Sequence, residues 1–246
     1  MKKITLLVSA VVVLTVSSHA WSASYTIGVE ATDYLPVSKG DAGEYKGYAR
    51  DLLDAFAAKY GHKFTYKPVP VARLYDEFLV KKSVDFKFPD NGYWAGDAKK
   101  GISLSYSKGL ISVTDGTLVL PANKGKTSSI SKLGTMRGFT PFPYLDQIKE
   151  KKVNVTEANS ADAAISMGEA GRVEGVYMGI LAANYVMSEV MKKPGVLVFD
   201  EKLPKSTGDF SLSTLAHADV IKQMDEFLVK EKDTVAKLKA KYKIKE

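Results

Sequence analysis

The sequence predicts an α/β protein of two lobes. Three observations lead there: strand-like and helix-like hydrophobic periods alternate, a middle stretch repeats the same order, and two extended runs flank that stretch. Residues 25–29 form a short apolar strand. A turn-rich stretch then leads to Gly47, after which Leu52, Leu53, Phe56, Ala57 and Tyr60 fall on one helical stripe that Gly61 ends. Residues 64–69 read as the next strand, 71–80 as the next helix, and 84–88 as a third strand stopped by Pro89. In the middle stretch Asn159 and Ser160 are placed to cap a helix over 161–170, which Gly171 closes. A buried strand over 173–178 and a helix over 180–191 follow. From Asp219 the tail is one amphipathic helix or two, with Ile221, Met224, Phe227 and Leu228 on the apolar side.

The extended runs at 116–122 and 211–215 read as two hinge strands between the lobes. One lobe is then built from residues 21–120 plus 210–246, and the other from 121–209 inserted between them. Such insertions are tolerated where chain ends lie close together at a surface.

The first residues have the pattern of an export leader. Lys2 and Lys3 give a positive start, an apolar run covers residues 4–16, and Ser18-His19-Ala20 supplies small residues where a signal peptidase reads. Residues 1–20 are therefore expected to be cleaved off after Ala20, with the bond after Ser22 as the second choice. The run is shorter than the ~20 apolar residues of a bilayer span, so a soluble periplasmic protein is expected. The chain has no cysteine, which removes disulfides, thiol nucleophiles, thiolate metal ligands and the lipid attachment site of exported lipoproteins. The net charge of +7 falls to +5 when Lys2 and Lys3 leave. The lysines near the C-terminus alternate with acids and apolar residues as on a solvated helix, and no Arg-rich stripe interleaved with aromatics is present, so no nucleic-acid partner is expected.

The order of several short runs carries a resemblance. Residues 29–36, Gly47-Tyr48-Ala49-Arg50-Asp51-Leu52-Leu53, Val84-Asp85, Ile102-Ser103-Leu104-Ser105 and Gly171-Arg172-Val173-Glu174-Gly175-Val176 together resemble family 3 of the bacterial extracellular solute-binding proteins. The resemblance spans nearly the whole chain after the leader. It implies a type II periplasmic binding protein fold and a monomer that captures a small polar molecule in a cleft between its lobes. It also implies delivery to an ABC permease in a Gram-negative inner membrane, with no cofactor and no catalysis. Members that bind amino acids hold the carboxylate with an Arg in a Thr-x-x-Arg segment, and the ammonium with an acid beyond a Gly-Arg-Val-Asp run. Here those stretches read Trp94-Ala95-Gly96-Asp97-Ala98-Lys99-Lys100 and Val176-Tyr177-Met178-Gly179. Both halves of the clamp are missing, and an unpaired buried charge is costly, so the resemblance implies a ligand other than a free amino acid.

Candidate ligand contacts follow. Tyr34 comes after the first strand, where the resemblance implies an aromatic over the ligand, or it is a loop aromatic packed on its lobe. Arg73, one turn into a helix, offers a bidentate fork to an anion or lies in solvent. Asp90, Asn91, Tyr93 and Trp94 belong to Phe88-Pro89-Asp90-Asn91-Gly92-Tyr93-Trp94, a run at a strand's C-terminal end, where ligands of open α/β sheets bind. Arg137, Phe139 and Thr140 are expected between a strand and a helix start whose amides attract anions, with plain capping as the other reading. Tyr177 either replaces the missing acid with a neutral phenol or packs in the core.

Catalytic patterns are weak. Ser105-Tyr106-Ser107-Lys108 and Ser129-Ile130-Ser131-Lys132 fit S-x-x-K, but no S-D-N follows. His62 and His217 stand alone without metal-ligand or triad spacing, so no catalytic residue or metal is expected. Two alternatives to import remain open: a dehydratase of the cyclohexadienyl type on a similar fold, with Glu30 or Glu174 moving the proton, and the ligand-recognition subunit of a sensor.

Overall fold

The computed structural model describes residues 23–244 apart from positions 42 and 127, so the expected leader and its cleavage site after Ala20 lie outside the described residues. Ile27, Gly28 and Val29 are all buried in β1 (Ser24–Glu30), as a strand covered on both faces requires. A small antiparallel sheet follows, made of β2 (Asp33–Tyr34), β3 (Ser38–Asp41) and β4 (Glu44–Lys46). The predicted apolar stripe becomes α1 (Tyr48–Tyr60), and Gly61 ends it in the left-handed conformation at φ 73°. Next come β5 (Lys63–Val69) and α2 (Val71–Tyr75), which a π-helical turn over Asp76–Val80 prolongs. β6 (Phe86–Asp90) lies parallel to β1 on the side opposite β5.

The third strand therefore runs through Pro89, two residues beyond the predicted stop. Its antiparallel partner slips register between the Asp90–Ser211 and Lys87–Ser213 pairs, and a ladder irregular at that point does not need the amide Pro89 lacks. α3 (Gly96–Lys99), β7 (Ser105–Tyr106) and β8 (Ile111–Val119) complete the first half of the chain.

The second half repeats the alternation with β9 (Lys132–Met136), α4 (Leu145–Lys149), β10 (Asn154–Ala158), α5 (Ala161–Glu169) and β11 (Gly175–Gly179). Then follow α6 (Ile180–Tyr185) with its own π-helical turn over Val186–Val190, β12 (Val198–Phe199), β13 (Ser206–Thr214), α7 (Ala218–Lys230) and α8 (Lys232–Lys241). The strand order β10-β9-β11-β8-β13-β6-β1-β5 places two groups of parallel strands on either side of β8 and β13. Apolar side chains divide in the same way. Ile27, Phe56, Phe86, Leu212 and Phe227 share one core, while Leu118, Ile165, Val176 and Met187 share another. The crossings are β8 and β13, which pair antiparallel from Asp115–Ser206 to Ile111–Phe210. They begin five residues earlier than the extended runs suggested, because polar Ser112, Thr114 and Asp115 belong to the ladder.

One surface cluster predicts a pH effect. Glu77 accepts hydrogen bonds from Lys67 Nζ at 2.8 Å and Lys81 Nζ at 2.9 Å, and another from the Ser83 hydroxyl. These donors hold its carboxyl down at about 2. A carboxyl depressed in the folded state adds stability above its unfolded value near 4.5, and that contribution is lost as pH falls toward 2. Glu77→Gln is expected to reduce the loss of melting temperature between pH 6 and pH 2.5, and identical losses in the two proteins would show that the cluster adds nothing.

Candidate functional site

Between the two groups of strands lies a cleft of about 1400 Å³. Its walls come from the C-terminal ends of parallel strands on both sides, the position where open α/β sheets present ligand groups. From the first lobe come Glu30 at the end of β1, Tyr34 in β2, and Asn91 to Trp94 beyond β6; from the second come Arg137 to Thr140 beyond β9 and Asn159 to Asp162 at the start of α5. Asp115 of β8 and Phe210 of β13 bring the crossing strands themselves into the wall.

Tyr34 is the centre of this arrangement. Its hydroxyl donates to Asp115 Oδ1 at 3.1 Å and touches the second lobe at Gly179, where an added Cβ would stand 1.8 Å from the phenol oxygen. Only a residue without a side chain admits that approach. The Phe210 ring lies 6.0 Å from that of Tyr34 and 5.5 Å from that of Trp94, the latter at 73°. Trp94 is held by an Asx-type turn in which Asn91 Oδ1 accepts the amides of Tyr93 at 2.9 Å and Trp94 at 3.1 Å.

The electrostatics of the wall are one-sided. Burial raises the Asp115 carboxyl above the ordinary carboxylate range, with the Tyr34 hydrogen bond opposing in part. Burial also raises Glu30, reinforced by Asp90 and opposed by Lys87. Among the described residues neither acid has a cation within ion-pair distance. The basic groups on the wall are engaged at its rim, Lys39 with Asp33 and Arg137 with Glu157 at 3.8 Å.

Under the Trp94 loop lies a closed polar cluster. Asp90 is fully buried and accepts from the Tyr75 hydroxyl at 2.7 Å, Lys99 Nζ at 2.8 Å, the Ser213 hydroxyl at 2.7 Å and the Asn91 amide at 2.9 Å. Lys87 is 1% exposed, donates to the Pro89 carbonyl, and sits 4.3 Å from the Tyr75 ring centre and 5.8 Å from that of Trp94. Its burial lowers the ammonium from the ordinary lysine value.

Of the residues singled out in the sequence, Tyr34, Asn91, Tyr93, Trp94, Arg137, Phe139 and Thr140 line the cleft; Tyr93 stands on its rim, 96% exposed. Three others are not on the wall. Arg73 points to solvent because α2 buries the next residue, Leu74, and only Val71 of that helix reaches the cleft. Asp90 is consumed by the buried cluster. Tyr177 is buried between Phe139 at 6.0 Å and Tyr144 at 5.8 Å, which favours the core reading of this residue. As expected, the loop holding Thr140 lies between a strand and a helical segment, which begins as a 3-10 turn over Phe142–Tyr144 and continues into the short α4 at Leu145. Ser160 occupies the N-cap of α5 but forms no side-chain capping bond, and it lines the cleft instead.

Sequence reasoning passed over Asp115, Phe210, Tyr106 and Asp162. For Asp115 a signal existed: Ile111, Val113 and Asp115 alternate on one face of a strand. Glu174, one of two acids considered for proton transfer, binds the Ser131 amide at 2.7 Å and hydroxyl at 2.8 Å away from the cleft, and these bonds lower its carboxyl. Glu30 is the one that lines the cleft. The fold brings Asp85 to 3.6 Å from His217, also off the cleft wall.

No protein-family model matches the chain, and no curated protein matches it in sequence. Solved structures do match. An ancestral arginine-binding protein bound to arginine superposes with a TM-score of 0.62 at 19% identity, covering 89% of this chain and 98% of that one. The L-cystine solute receptor of Neisseria gonorrhoeae, in its unliganded open conformation, gives 0.66 at 15% identity over 92% and 95% of the two chains. An ancestral amino acid-binding protein described as a precursor of cyclohexadienyl dehydratase gives 0.61 at 20% identity, over 89% and 95%. The chain therefore has the two-lobed, type II periplasmic binding protein fold that the sequence predicts.

Proposed function

We propose that this chain is a solute-binding protein that closes over one small polar molecule between its lobes. The reading includes export to the periplasm with removal of residues 1–20, lobe boundaries near residues 120 and 210, a monomeric state, and delivery of the solute to an ABC permease. The observation that carries it is a cleft with polar and aromatic groups on both walls, bridged by two paired strands. A solute that touches both walls binds the closed form better than the open one, and that difference in free energy drives closure. The cleft volume of about 1400 Å³ exceeds the ~300–1,000 Å³ of a pocket shaped to a small ligand, as an open clamp should.

A thermal-shift screen of metabolites tests the reading, because a ligand that binds only the folded chain raises its melting temperature by mass action, the stabilisation reaching about 2.7 kcal/mol at a hundred times its Kd. Absence of any shift across the screen, with organic cations included in it, would overturn it. Largest shifts from α-amino acids would overturn the argument from the missing clamp. Once a ligand is found, Trp94→Ala is expected to weaken it about tenfold or more, the loss common for an aromatic anchor, with the melting temperature of the empty protein nearly unchanged. Arg73→Ala, off the cleft wall, should leave affinity alone, and the reverse pattern would move the site.

One observation favours a second reading. Glu30 is an acid with a raised carboxyl inside the cleft, the property a proton-transfer group needs. Turnover of prephenate or arogenate by the purified chain, lost in Glu30→Gln, would replace capture by catalysis.

A further inference from the structure

We propose that the solute is an organic cation without a carboxylate, its charged end held by Glu30 and Asp115 and flanked by the rings of Tyr34, Trp94 and Phe210. The inference rests on the solute-binding reading and names the chemistry of the solute. Glu30, Asp115 and Asp162 line the cleft with no ion pair among the described residues. They come from β1, from a crossing strand and from the second lobe, so the negative character spans the cleft. No basic side chain on the walls pairs with them, since Lys39 and Arg137 pair with Asp33 and Glu157 at the rim; Lys87, buried off the wall and donating to the Pro89 carbonyl, acts on Glu30 only through its field, without an ion pair. The first turn of α5, where helix amides would otherwise attract an anion, already carries Asp162.

The same walls disfavour other solutes. A carboxylate or phosphate would enter beside Glu30 and Asp115, with only the exposed Arg137, paired to Glu157 at 3.8 Å on the rim, to receive it, and like charges brought together in a poorly solvated site repel strongly. A cation neutralises half-buried carboxylates that have no ion-pair partner among the described residues, and it meets aromatic faces whose quadrupole attracts positive charge. Asp115 stands against the aromatic wall directly, its Oδ1 3.1 Å from the Tyr34 hydroxyl, and Glu30 lines the same cleft.

The test titrates the purified chain with 1,4-diaminobutane, 4-aminobutylguanidine and tetramethylammonium, against succinate and glycine, by calorimetry and thermal shift. At least one cation is expected to bind more tightly than both comparators. Glu30→Gln and Asp115→Asn should each weaken that cation by about tenfold or more, as loss of one partner of a desolvated charge pair does. The empty Asp115→Asn protein should melt at or above the wild-type temperature, because the substitution removes a half-buried carboxylate with no cation partner among the described residues; a purely structural role through Tyr34 would lower it. Tighter binding of an anion or zwitterion, or wild-type affinity for the cation in both variants, overturns the inference and leaves solute capture standing. If neither these probes nor the metabolite screen produces binding, solute capture falls and this inference with it.

Discussion

Asp90→Ala is expected to destabilise the empty protein by about 3–5 kcal/mol, the usual loss when one member of a buried ionic group is removed and its partners stay behind. Asp90 is the only carboxylate within 4 Å of the buried ammonium groups among the described residues, lying 2.8 Å from Lys99 and 3.9 Å from Lys87. Without it two cations remain in a site with almost no access to water, and the Tyr75 and Ser213 hydroxyls lose their acceptor. A loss of this size lowers the melting temperature by roughly 10 °C in a chain of this length. Asp90→Asn keeps the shape and some of the hydrogen bonds but not the charge, and it should fall between wild type and Ala. Denaturant unfolding of the three proteins checks the order. A change below about 1 kcal/mol for Asp90→Ala, the size of an ordinary surface effect, would return Asp90 to the list of ligand contacts.

Gly40→Ala is the second large effect. A Cβ at Gly40 would stand 2.2 Å from the Glu30 carbonyl oxygen and 3.2 Å from the Ala31 Cα, so backbone meets backbone and no side chain can swing aside. Overpacking of this kind costs about 3 kcal/mol, at the upper end of the usual range. The contact also sets β3 against the end of β1, immediately beside Glu30, so the variant should lose solute affinity along with stability. Gly179→Ala is the instructive comparison. Its added carbon meets only the end of the Tyr34 side chain, which can rotate away, so affinity should fall with little change in melting temperature. If both variants lost stability equally, Tyr34 would be a fixed part of the interlobe packing.

What the sequence made legible is what local pattern determines. The stripe from Leu52 to Tyr60 and the glycine that ends it are written within one segment, and α1 forms there. The turn chemistry of Asn91 and the aromatic Trp94 at a strand end pointed to the wall of a cleft, and both line it. What stayed hidden depends on distant partners. Asp90 looked like a ligand group because nothing nearby reveals Lys99 nine residues on or Ser213 on β13. Arg73 and Leu74 differ by one helical step, and the local period alone did not decide which of them faces the protein. Asp115 was concealed by the polar look of its segment, whose strand pairing comes from residues about ninety positions later.

The two crossing strands are hydrogen-bonded to each other from Asp115–Ser206 to Ile111–Phe210, and this limits how the clamp can move. Separate connections could twist independently and let each lobe wander. A joined ribbon bends as one body, about one axis, with Asp115 and Phe210 riding on the flexing part itself. Under the proposed solute capture, contact at these two residues would act on the joint directly, so capture and the change of shape would be a single event that small-angle scattering should record as two populations with no third between them.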